Sequence, residues 1–130
     1  MARRPRPSAK SPLTFAALEA FALSFGLPRI EKTTSWGQPT LKAHGKLWVW
    51  WSAHENAPVF KVESFDERDM LIDMDPETFF FTDHYRNHKL VLARPDRIDM
   101  DWAEENLRRT WRAMAPKRFL KDYDAGMTMT

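Results

Sequence analysis

Cysteine is absent from this sequence, so disulfides, thiolate metal centres and cysteine nucleophiles are all excluded. Glycine is scarce, with 4 among 130 residues, which leaves no glycine-rich loop able to cradle a phosphate. There is no G-x-S-x-G elbow, and no spacing suggests a Ser, His and Asp set. Enzymatic chemistry therefore finds no foothold, and a non-enzymatic protein without a cofactor is expected. No run approaches the ~18 apolar residues that a bilayer span needs. The first twelve residues lack the apolar stretch of a signal peptide. These absences lead to the expectation of a cytoplasmic protein with no membrane partner, monomeric by default.

What is present is apolar and aromatic material in quantity, 43% and 13% of the chain, enough for one domain with a substantial core. Four of the six tryptophans fall between Thr34 and Trp51. Two short β-prone runs there flank His44-Gly45, a pair suited to a tight turn that requires positive φ. A hairpin is predicted, with strands near 40–43 and 46–52, the second of them central in the sheet. Simple alternation puts Leu47, Val49 and Trp51 on one face of that strand and Trp48 and Trp50 on the other.

The basic, proline-rich residues 1–11 read as a flexible tail, residues 12–125 as a single domain, and residues 126–130 as a frayed end. Ser11-Pro12 looks like a helix start, with the helix running to about Phe25 and an apolar stripe of Leu13, Ala17, Ala20, Phe21 and Ser24. Further strands are expected over 29–35, 59–63, 78–82 and 88–93. Ser64 and Glu67 have capping-box spacing at the head of a helix ended by Pro76. A final strong helix is capped near Asp99, with Ala103, Leu107, Trp111 and Met114 inward, and Glu104–Arg108 and Glu105–Arg109 paired outside. One or two helical turns follow Pro116. This order predicts an α+β two-layer sandwich, an antiparallel sheet with helices packed on one face.

Charge is segregated along the chain. Residues 1–62 hold nine Lys and Arg against three acids, residues 63–105 five against thirteen, and residues 106–130 six against two. Such a distribution can place a basic face on a protein of small net charge, as nucleic-acid binding requires.

Trp36-Gly37-x-Pro39-Thr40, then Lys42 and Gly45-Lys46, a strand Phe60-Lys61-Val62, an Arg-x-x-Leu helix over Arg68 to Leu71, and a Pro76, Phe79, Tyr85 segment occur in that order. The set resembles the MmcQ/YjbR-like proteins from about Thr14 to Tyr123. The resemblance implies a fold similar to CyaY, the bacterial frataxin, and DNA binding in a double-wing arrangement. Many members carry a Ser-Tyr pair in the last helical region. Thr110 to Met114 contains none, so no role of that pair carries over. Iron binding by frataxin relies on an acidic first helix, whereas Glu19 is the only acid in this one, so no iron role is expected.

The candidate DNA contacts are the cations of two hairpin tips, Lys42, His44 and Lys46 on the first and Arg86, His88 and Lys89 on the second, with Arg29 and Lys32 extending the first. Solvent alone also selects polar tips. The alternative is a small-ligand or protein-binding cleft lined by Trp36, Trp48 and Trp50, or single-stranded nucleic acid stacked on Trp48, Trp50 and Trp51 beside Lys46. Asp83, His84 and His88 have metal-ligand chemistry, but their spacing crosses a turn into a strand, so no metal site is expected.

Overall fold

The computed structural model describes residues 6, 11–35 and 37–128. The expectations for the rest of the basic tail, for Trp36 and for residues 129–130 lie outside the described residues. Six strands form one antiparallel sheet: β1 (Ile30–Ser35), β2 (Gln38–Ala43), β3 (Lys46–Ser52), β4 (Ala57–Lys61), β5 (Phe79–Phe80) and β6 (Leu90–Ala93). Their order across the sheet is β1-β2-β3-β4-β6-β5, so β3 is internal as predicted. Four helices, α1 (Phe15–Leu23), α2 (Phe65–Met74), α3 (Met100–Met114) and α4 (Lys117–Thr128), all contribute to one apolar cluster on a single side of the sheet. The architecture is α+β.

The turn at the centre forms as its residues dictate. His44 has φ 55° and Gly45 φ 79°, the paired positive values of a two-residue hairpin loop whose twist matches the flanking strands. The register then slips. Leu41 faces Val49, yet Lys42 faces Leu47, so Trp48 is an extra residue on β3, a bulge. Side chains on both sides of a bulge lose strict alternation. Trp48, Val49 and Trp51 accordingly join the helix-side cluster, while Trp50 packs with Val59 and Leu92 on the opposite face. The expected grouping of Trp48 with Trp50 is thus corrected, because one inserted residue reverses the parity of everything before it.

Other boundaries moved for local reasons. The cap of α1 is Thr14, whose Oγ1 accepts from the Ala17 N–H at 3.2 Å, while the Leu13 N–H is drawn away to the Pro95 carbonyl at 2.9 Å. Starting there, α1 buries Phe15, Leu18 and Ala22, leaving Ala17 and Ala20 exposed. Capping at Ser64 and Asp99 follows the sequence: Ser64 Oγ accepts from the Glu67 N–H at 3.0 Å and Asp99 Oδ1 from that of Asp101 at 2.9 Å. Arg108 pairs with Glu104 as expected, but Arg109 reaches across to Glu67 on α2 instead of Glu105. The closing helix is longer than expected. It runs through Gly126 to Thr128 because Phe119, Leu120 and Tyr123 pack on the main core, and tertiary burial overrides the poor helix propensity of glycine.

Candidate nucleic-acid interface on the open sheet face

The helices leave the other face of the sheet without a helical cover. Leu90, Leu92, Val59 and Trp50 lie there, and the pairing of Lys61 with Leu90 and of Lys42 with Leu47 puts both lysines on the same side. A short turn of 3₁₀ helix, Asp83–Tyr85, closes down over one end of this face, with Phe80, Phe81 and Tyr85 against the apolar patch. Two clefts result. The first, about 760 Å³, runs between Trp50 and Ser52–Glu55 on one wall and Thr82, His84 and Tyr85 on the other. The second, about 700 Å³, is lined by Lys61, His88, Lys89 and Leu90. Leu47, Trp50 and His84 belong to both, so the clefts are consecutive parts of one groove.

Arg68 of α2 fixes the turn in place. Its guanidinium is buried, stacks on Phe81 at 3.9 Å from the ring centre, and donates from Nη1 to the carbonyls of Arg86 at 2.9 Å and His88 at 3.4 Å. Nε donates to Asp69 Oδ1 at 3.2 Å. A planar, forked donor suits several acceptors at once better than a lysine would.

Of the eight cations expected to reach DNA, the structure brings three to this side, Lys42, His88 and Lys89. Lys42 is half-buried beside Leu47, with Glu31 opposite in register. His88 and Lys89 are exposed, whereas Lys46, exposed as well, stands directly opposite buried Ala43 and so starts on the helix-side face at the hairpin end. Lys46 is also close enough to Lys61 for its charge to help lower the Lys61 ammonium pKa, the larger cause being burial of Lys61 itself. The other four are engaged elsewhere. Lys32 bonds Glu19 of α1 at 3.3 Å, Arg29 lies 4.1 Å over the Phe119 ring, Arg86 is held by Asp83, and His44 turns inward. Of the described tryptophans proposed for a cleft or for stacking, Trp48 is fully buried, while Trp50 lines both clefts and Trp51 the first.

Lys61, Tyr85 and the orienting role of Arg68 were missed as site features. All three stand in the motif set that carries the family resemblance, and strand alternation adds that Lys61 shares a face with Val59, but nothing local gives Tyr85 or Arg68 a place in a site. Asp83 is taken up by Arg86, and among the described residues no three His, Asp or Glu side chains gather as a metal site.

His44 has become a structural hinge pin. Its ring lies 5.0 Å from Trp111 and 5.4 Å from Phe119, Nε2 is 3.2 Å from the Trp111 carbonyl, and Nδ1 is buried without a partner. The carbonyl can only accept, so Nε2 carries the proton and the neutral ring is the fitted form. Burial pushes its pKa below the usual 6.5, opposed by the Trp111 bond and reinforced by the charges of Arg29 and Lys46. With a depressed pKa the unfolded chain binds the proton more readily, so stability from this site is full above about pH 6.5 and declines as pH falls through the interval down to the folded-state pKa. His44→Asn, which tolerates positive φ, is expected to flatten that part of the urea-midpoint profile between about pH 7 and pH 5. A profile parallel to wild type would refute the assignment.

The profile of the YjbR family matches residues 25–113, and the chain belongs to that family. The matched span contains β1 to β6 and most of α3, hence the whole groove. No curated protein and no solved structure gives a significant match. Among the described residues no helix is long and apolar enough to cross a membrane.

Proposed function

We propose that the protein binds DNA on the helix-free face of its sheet, with Lys42, Lys61 and Lys89 meeting phosphates. One contrast carries this reading. Among the described residues, no ion pair involves any of these three lysines or Lys46 at the hairpin end, yet outside α4 every other lysine and arginine is engaged by an acid, a carbonyl or an aromatic ring. Like charges left unneutralised around an apolar groove stabilise the bound state of a polyanion, where each phosphate contact also releases a counterion. The β2–β3 hairpin and the turn between β5 and β6 would be the two wings that the family resemblance implies. The reading is of binding and not catalysis, by a cytoplasmic protein with DNA within reach.

Fluorescence anisotropy with labelled DNA at two salt concentrations tests it. Lys61→Glu combined with Lys89→Glu is expected to weaken binding at least tenfold and to reduce the log–log salt slope by about 2. Lys117→Glu with Arg118→Glu, on α4, serves as the control and should change little. Absence of salt-sensitive binding by the wild-type chain, or equal effects of the two pairs, would remove the proposal.

A further inference from the structure

We infer that the first cleft, between Trp50 and the Thr82–Tyr85 wall, is a stacking site for an unpaired nucleobase, so that the DNA taken is single-stranded. The inference rests on the DNA reading above and adds the form of the nucleic acid. Trp50 is exceptional among its kind. Trp48, Trp51 and Trp111 each donate the indole N–H to a protein acceptor and Trp102 packs edge to face on Phe60 and Phe79, whereas among the described residues the indole of Trp50 neither donates to an acceptor nor pairs with another ring. It is nevertheless held firmly by Val59 and Leu92 beneath, so an accessible aromatic surface is presented without freedom to collapse.

The opposite wall is aromatic as well. His84 and Tyr85 meet edge to face at 4.7 Å, with Thr82 beside them and Gln38 at the rim. A cleft of this size admits a nucleotide. A base inside a duplex already stacks on its neighbours and offers only groove edges, so a tryptophan face can engage it only when it is unpaired. Charge complementarity fixes the occupant further: Lys61 and Lys89 line the adjoining cleft, which puts cations beside the stacking wall, as a base with its phosphates requires. An uncharged aromatic ligand would leave them unused.

Anisotropy with oligothymidylate and with a matched duplex separates the possibilities. Trp50→Leu is expected to weaken single-strand binding about tenfold with less than about a twofold change for duplex, and Trp50→Phe to restore most of the loss. Tyr85→Leu should act in the same direction. In the wild-type chain labelled with 5-fluorotryptophan, the Trp50 ¹⁹F resonance, assigned through Trp50→Phe, should move on adding oligothymidylate and stay in place with inorganic phosphate, while that of buried Trp48 is unmoved by either. Binding that keeps its lysine and salt dependence but is indifferent to Trp50, or a Trp50 resonance unmoved at saturation, overturns the base site and leaves the phosphate reading standing. Loss of all salt-dependent binding to either DNA overturns both.

Discussion

Trp48→Ala is expected to cost about 3–5 kcal/mol, the range for truncating a large aromatic in a packed core. The side chain is wholly buried, and its indole N–H donates to the Leu107 carbonyl at 3.1 Å and to Thr110 Oγ1 at 3.0 Å, tying the bulge of β3 to the middle of α3. Thr110 in turn donates to the Asn106 carbonyl at 2.9 Å, and Asn106 Nδ2 reaches the Lys61 carbonyl at 2.8 Å, just beyond the point where β4 stops pairing with β3. Removing the indole therefore opens a void and unsettles the helix–sheet contact at the same place. For a domain with about 5–15 kcal/mol to lose, the melting temperature should fall roughly 10–20 °C. Trp48→Phe keeps most of the volume and loses the donor, which predicts a smaller cost of about 1–2 kcal/mol. Urea denaturation followed by circular dichroism measures both. A loss under about 1 kcal/mol for the alanine variant would contradict the packing described.

The same tryptophan marks where reading from sequence stops. His44-Gly45 announced a hairpin because few residue pairs accept two positive φ values in succession, and the capping residues Ser64 and Asp99 announced helices because their oxygens satisfy free amides. Such features are local. The bulge at Trp48 is not, since β2 and β3 slip past each other to let an indole enter the α3 interface, and no residue on either strand records it. That one event decides which tryptophan is core and which faces the groove. His44 was legible as a turn residue but not as a partner of Trp111, 67 positions away. Lys42, Lys46, His88 and Lys89 were found as tip cations; what distinguishes them from Lys32 or Arg86 is that among the described residues none of them forms an ion pair, and pairing becomes visible only once the helices are in place.

Arg68→Met is expected to destabilise the fold by about 2–3 kcal/mol and to weaken DNA binding without touching a single proposed contact. The methionine approximates the length and apolar stem of the arginine, so the change isolates the guanidinium. Its loss removes two charged hydrogen bonds to the carbonyls of Arg86 and His88, each worth about 1.5–3 kcal/mol before water replaces it, and the stacking on Phe81. Both carbonyls belong to exposed residues, so rehydration returns part of the cost, and the desolvation of a buried cation is recovered as well. What water cannot restore is the position of the turn. His84, Tyr85, His88 and Lys89 all lie on or beside the segment that Arg68 holds, and they form one wall of both clefts. Arg68→Lys keeps the charge but not the fork, and should fall between wild type and methionine in both stability and affinity. Chemical denaturation and anisotropy on the three proteins test the pairing of effects. A methionine variant as stable as wild type would mean that desolvation cancels the bonds; one that is less stable yet binds DNA unchanged would show that the turn does not shape the groove.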